Sequence, residues 1–263
     1  MAVLNLTPDS FSDGGRLNAR AAVERGERQV AAGAALLDLG GESTRPGARP
    51  VPEQEQIERV VPVIEQLARR VAAPLSVDTT RAAVARAALA AGAVLVNDTS
   101  ALRDDPGLAE VVRAHGAALV LMHRNGAPAT MQDDPRYVDC AAEVAAALSE
   151  RATAALSAGI PAESIVLDPG IGFGKRFADN LDLCAALASF RSLGFPLLLG
   201  ASRKAFLGAI TGRPPPERDA ATLATTAAAF AAGCELVRVH DAPSSVDLLR
   251  VLGALRDPAG APP

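Results

Sequence analysis

The stretch LSVDTTRAAVARAALAAGAVLVND, residues 75–98, carries the unit from which the fold is read. Leu75 to Val77 is a short apolar run that meets Asp78, and Val94 to Val96 is a second that meets Asn97-Asp98. Arg81 to Ala91 between them is rich in alanine, the best helix former, and Gly92 stands where a left-handed glycine stops a helix. The segment reads as strand, helix, strand, with a polar residue at the end of each strand.

The same unit recurs along all 263 residues. Further apolar runs lie at Ala2 to Leu6, Leu36 to Leu39, Ala117 to Met122, Ile165 to Leu167, Leu197 to Leu199 and Leu236 to Val239, which makes eight. Each is too short for a helix and continuously apolar, the mark of a parallel strand buried on both faces. Ile57, Val60, Val61, Ile64, Leu67, Ala68 and Val71 share one helix face, with Pro62 predicting a kink or a split. Leu108 to Ala114, Ala141 to Ala158, Asn180 to Leu193, Ala220 to Ala232 and Ser245 to Leu255 also read as helices, and Gly33, Gly116, Gly159, Gly194 and Gly233 as helix stops. The count points to an α/β fold, a (β/α)8 TIM barrel, over a doubly wound open sheet. A single domain is expected over 1–256, with 257–263 as a loose tail.

Composition excludes several classes. Half of the residues are hydrophobic (49%), enough for a large core and too many for a disordered chain. With 26 basic against 30 acidic residues there is no positive field for nucleic acid. Aromatics are 3% and Trp is absent, so no stacking platform for single strands is expected. Cys140, Cys184 and Cys234 are odd in number and far apart, which argues for reduced thiols. No apolar stretch reaches membrane-span length and no targeting signal is read, so a cytoplasmic enzyme is expected.

In a barrel the active site lies at the C-terminal ends of the strands. There the sequence places Asn5, Asp38, Asp78, Asn97-Asp98, Met122-His123, Asp168, Ser202-Arg203-Lys204, Arg238 and His240. One such residue is readily an N-cap; eight strands out of eight are not. Asp78, Asn97, Asp168 and Lys204 suit a flat heterocycle with amide-like edges. Asn5, Thr44, Arg45, Arg203, Arg238 and His240 suit a phosphate-like anion, and Asn5 can offer an oxygen to Mg2+. Asp38, Asp78 and Asp168 have a second reading as a metal cluster, although no His-x-His or HExxH accompanies them. Gly170-Ile171-Gly172-Phe173-Gly174-Lys175 has neither Walker nor dinucleotide spacing, and reads as a loop that brings backbone and Phe173 against a ligand.

Taken in order, these motifs resemble the dihydropteroate synthase family. Asn5-Leu6-Thr7-Pro8-Asp9-Ser10-Phe11-Ser12-Asp13-Gly14-Gly15 is similar to its first-loop signature, and Gly40-Gly41-Glu42-Ser43-Thr44-Arg45-Pro46-Gly47 to its second. Ser76-Val77-Asp78-Thr79, Asn97-Asp98, Leu121-Met122-His123, Asp168 to Lys175, Ser202-Arg203-Lys204 and Arg238-Val239-His240-Asp241 follow. The resemblance implies condensation of para-aminobenzoate with a dihydropterin carrying a hydroxymethyl diphosphate, Mg2+ as cofactor, and a homodimer. It assigns pterin to Asp78, Asn97, Met122, Asp168, Phe173 and Lys204, and diphosphate to Asn5, Thr44, Arg45, Arg238 and His240. Para-aminobenzoate falls to Phe11, Thr44, Pro46, Ser202 and Lys204. Catalytic roles fall to Lys204, Arg238 and Asp13, the last beside a developing cation, and Asn5 is the metal ligand. A pterin-dependent methyltransferase and a non-catalytic pterin binder are the alternatives. The family usually carries a segment before strand 1. Here Met1 stands almost on the strand, so its end is expected to fray above an open barrel bottom.

Overall fold

The computed structural model describes residues 1–6, 15–43, 48 and 50–260. Strands alternate with helices, except that two helices lie between the last two strands. β1 (Ala2–Asn5), β2 (Leu37–Gly40), β3 (Leu75–Asp78), β4 (Leu95–Asp98), β5 (Ala118–Met122) and β6 (Ile165–Asp168) form one parallel sheet in chain order, and β7 (Leu198–Leu199) pairs with β8 (Leu236–Val237). Single parallel bridges join the two groups at both seams, Leu167 to Leu197 and Ala2 to Val239. The Val3 N–H donates to Val239 O at 3.0 Å, which brings the order back to β1. The eight strands thus make the barrel, and every observed strand lies within two residues of its apolar run.

The intervening helices are α1 (Gly15–Ala31), α2 (Glu53–Ala68), α3 (Ala82–Ala90), α4 (Leu108–Ala114), α5 (Cys140–Ser157), α6 (Phe177–Ala185), α7 (Ala205–Thr211), α8 (Asp219–Ala232) and α9 (Ala242–Arg256). In the sequence α1 is signalled only by its stop at Gly33, and α7 has no pattern clear enough to be read. α6 gives way at Leu187–Leu193 to a 3-10 helix, where one long helix was expected. Of the kink or split expected at Pro62, the split does not occur, since α2 runs through it as one element. Pro62 and Glu58, whose carbonyl the ring displaces, are both exposed, so water satisfies the freed oxygen. Gly233 ends α8 at φ 79°, in the left-handed region. After α9 the chain makes a 3-10 turn at Pro258–Gly260.

Alternation along each strand divides the apolar residues into two bodies. Leu4, Leu39, Val77, Val96, Leu121, Leu167 and Leu199 join Ile64, Leu148 and Phe190 of the helical layer in one cluster. Residues of the opposite parity, Met1, Leu36, Leu95, Val120 and Leu198, make a second cluster inside the barrel. The expected fraying of β1 is therefore corrected. Met1 and Ala2 are buried, and the Ala2 N–H donates to Leu36 O at 2.7 Å on one side. On the other, Met1 O accepts from the Val239 N–H at 3.0 Å. The lower layer is filled by these side chains and does not lie open.

Candidate active site

The inward rows of the strands change character as they rise. Above the inner apolar cluster stand Asp38, Ser76, Asp78, Asn97 and Asp168, all buried. Pairing sets their order: Asn5 opposes Gly40, Gly40 opposes Asp78, and Asp78 opposes Asn97. Four strands thereby deliver one row of groups to the barrel mouth.

Arg238, just past β8, reaches across the barrel into this row. Its Nε donates to Asp38 Oδ2 at 2.6 Å and its Nη2 to Asp78 Oδ2 at 2.8 Å. The Asn97 amide also donates to Asp38 Oδ2, at 3.2 Å. Asp38 is thus the hub of the network, a position that strand-end reasoning did not give it. It sits two residues below the end of β2, and its partners are fixed only once the register is known. Among the described residues two buried carboxylate oxygens have no hydrogen-bond partner, Asp38 Oδ1 and Asp78 Oδ1, and neither does the Ser76 hydroxyl. Burial pushes the Asp78 carboxyl up to about 7, against the pull of Arg238.

Opposite this row, Asp168 ends β6. Its Oδ1 accepts from the Gly170 N–H at 2.7 Å, and its Oδ2 has no partner among the described residues. Burial raises this carboxyl as well. Lys204 follows β7; its Nζ donates to Ile171 O at 2.5 Å and sits 3.9 Å from the centre of the Phe173 ring. Burial lowers this ammonium to about 7, with the Asp168 charge working the other way. Met122 is buried at the end of β5, where its main chain pairs with Asp168. The Ser202 hydroxyl lies 3.0 Å from His240 Nδ1 and accepts from the His240 main-chain N–H at 3.2 Å, so Ser202 orients the imidazole. Asn5 is half-buried at the end of β1, its side chain without a partner among the described residues.

Two residues grouped with the mouth belong elsewhere. Arg203 adopts φ 58° and turns one guanidinium edge, Nε and Nη2, to the Asp219 carboxylate at 2.7 Å each. That bidentate pair ties the side chain to the first residue of α8. His123 follows inward-facing Met122 and so takes the other face, against Lys175. Asp38, Asp78 and Asp168 do not gather as a metal cluster. Arg238 stands between the first two, and no group of three His, Cys, Asp or Glu among the described residues is placed to hold a metal ion. Phe11, Asp13, Thr44, Arg45 and Pro46 lie outside the described residues.

A polar row with uncommitted acceptors at the mouth of an eight-stranded barrel prompted comparison with known proteins. The family model described as pterin binding enzyme matches residues 1–240. The chain belongs to the pterin binding enzyme family. A dihydropteroate synthase of Mycobacterium leprae (strain TN) is 47% identical over 262 residues, 97% of this chain and 92% of that one. The structure of Xanthomonas albilineans dihydropteroate synthase with 4-aminobenzoic acid superposes with a TM-score of 0.92 at 48% identity, covering 98% of this chain and 92% of that one. A second structure of the Xanthomonas enzyme, in complex with 7,8-dihydropteroate, gives 0.88 at 44% identity, covering 98% and 93%. Among pterin binding enzymes, then, the chain is similar over nearly its whole length to synthases.

Proposed function

We infer that this protein is a dihydropteroate synthase, which joins 6-hydroxymethyl-7,8-dihydropterin diphosphate to para-aminobenzoate and releases 7,8-dihydropteroate and diphosphate. The observation that carries the substrate reading is the pair of acceptors left open at the mouth, buried Asp78 Oδ1 and the Oδ2 of Asp168. A buried acceptor without a donor costs about 1–3 kcal/mol. The N–H groups of an aminopyrimidinone edge supply the missing donors, and Asn97 and Lys204 complete recognition of the ring. Phe173 gives a flat face and Met122 an adaptable apolar surface for a bicyclic pterin.

The chemistry follows from charge. The bond between the pterin methylene carbon and the diphosphate oxygen breaks, and its electron pair leaves with diphosphate. Arg238 Nη1, without a partner among the described residues, and His240 are the groups offered to that anion. The amine lone pair of para-aminobenzoate forms the new C–N bond. The resulting anilinium is a strong acid and gives its proton to water, so orientation matters more than a base. Ser202 and Lys204 border the place the arylamine takes, with Phe11, Thr44 and Pro46. Asp13 is assigned to the developing cation, and Thr44 and Arg45 to diphosphate.

A single uncommitted amide oxygen on Asn5, with no built cluster of acidic ligands among the described residues, suits Mg2+, which commonly takes one or two protein oxygens and completes its shell with substrate phosphates and water. Asn5 would hold it, and the ion would neutralise charge on the departing diphosphate. Exposed Ile210 of α7 and Val251 and Leu255 of α9 support a homodimer. No helix among the described residues is long and apolar enough to cross a membrane, and the site of action is assigned to the cytoplasm. Mixing the two substrates with the protein and Mg2+ tests the reaction: stoichiometric diphosphate and dihydropteroate are expected. Pterin binding with no diphosphate release would instead point to the methyltransferase or the non-catalytic reading.

A further inference from the structure

Lys175 closes the glycine-rich loop and is buried, yet it bonds to none of the polar side chains of the mouth. Its Nζ meets three acceptors instead: His123 Nδ1 at 2.9 Å, His123 O at 3.3 Å and Phe173 O at 3.1 Å. An ammonium has three hydrogens, and all three are taken. When the ammonium donates to Nδ1, the His123 ring proton resides on Nε2.

The loop it ends is held one carbonyl at a time. Ile171 O accepts from Lys204 Nζ, Gly172 O from Gln132 Nε2 at 2.6 Å, Phe173 O from Lys175, and Gly174 O from the Tyr137 hydroxyl at 2.8 Å. The backbone of 123–125 lies directly against it. A Cβ on Gly170 would fall 1.9 Å from His123 O, and one on Gly174 would fall 2.2 Å from Asn125 O. Lys175 stands between these two segments and grips a carbonyl of each. Phe173, whose carbonyl it holds, carries the ring over which Lys204 lies, and Ile171 holds the same ammonium from its carbonyl.

We propose that Lys175 is a positioning residue for the pterin site, its ammonium fixing the loop Gly170–Lys175 against the end of β5 and thereby setting where Phe173 and Lys204 meet the ring. The proposal rests on the reading that this mouth binds a pterin. Lys175→Met keeps the unbranched stem out to Cε and removes the ammonium with its three donors. Tyr137→Phe removes one grip on the same loop from a half-buried position and is a gentler version of the same perturbation.

Two measurements test it. Calorimetric titration with 6-hydroxymethyl-7,8-dihydropterin diphosphate is expected to show a Kd raised about 10- to 100-fold in Lys175→Met, the scale of a small misplacement of binding groups. In Tyr137→Phe the rise is expected to be a few-fold. Nitrogen NMR of the imidazoles, of which the chain has three, is expected to show His123 as the Nε2–H tautomer in the wild type and a mixture in Lys175→Met. Wild-type affinity in a folded Lys175→Met, even with a lowered melting temperature, overturns the proposal. If Lys175→Met does not fold, unaltered affinity in both Tyr137→Phe and Lys175→Gln overturns it. Failure of the wild type itself to bind the pterin would overturn the functional reading instead.

Discussion

Replacing Arg238 by Met is expected to cost stability before it costs anything else. The guanidinium is the counter-ion of two carboxylates whose side chains are 0% and 5% exposed, Asp38 and Asp78. Removing one partner of a buried ion pair typically costs about 3–5 kcal/mol, because the charge left behind cannot recover its hydration. Unfolding entropy of about 2.1 cal/mol/K per residue gives about 0.55 kcal/mol/K for a chain of this length. The melting temperature of Arg238→Met is therefore expected to fall by about 5–9 °C at pH 8. The loss should also depend on pH. Asp78 already sits near 7 through burial, and without Arg238 its carboxyl rises further. A carboxyl raised in the folded state binds its proton more tightly there than in the unfolded chain, so stability is held at low pH and lost as pH rises through the folded value. The deficit should thus be smaller at pH 6 than at pH 8.5. Asp38→Asn added to Arg238→Met should restore part of the loss. Scanning calorimetry on the three proteins at both pH values is the assay. A single variant melting within about 1 °C of the wild type at both would refute the idea that this network is a buried charge cluster.

Other outcomes follow from the same geometry. Asp168→Asn places an amide nitrogen where acceptors are needed, and a mismatch of at least about 1–3 kcal/mol should weaken pterin binding roughly 5- to 150-fold or more in a titration. His123 is pushed down to about 3 by burial and by Lys175, so the unfolded chain takes up a proton below about 6.5 that the folded chain refuses. Stability should then fall as pH drops from 6.5 toward 3, by about 2 kcal/mol at pH 5, and His123→Gln should remove that share of the slope in pH-dependent melts. Para-aminobenzoate is expected to bind well only with Mg2+ and diphosphate present; equal affinity after chelation of the metal would contradict a site completed over the anion.

The strands were legible because burial on both faces writes an unbroken apolar run, which little else in a soluble chain does. α1 and α7 were not, since the first carries mixed charge through RLNARAAVERGERQ and the second has only seven residues. Polar residues at strand ends could be read because a buried carboxylate after an apolar run has few structural excuses. The same reading overreached at Arg203 and fell short at Asp38. Neighbours in sequence face opposite ways, and only the pairing of Val3 with Asp38 and of Asp38 with Ser76 shows which parity looks into the barrel. What Lys175 does was invisible for a similar reason: its three acceptors come from two loops about 50 residues apart, and two of them are main-chain oxygens.

The separation of the apolar residues into an outer and an inner body bears on how such a molecule can change. The outer cluster, between strands and helices, contains most of the buried side chains, while the inner one contributes five buried residues near the base. Cohesion and recognition are thereby lodged in different parities of the same strands. An inward residue near the rim can be exchanged without opening a hole in the layer that keeps the helices on, provided any charge it leaves is still matched. New ligand preferences are thus open to a lineage through alternate positions of eight short segments, while the residues between them stay under a separate constraint.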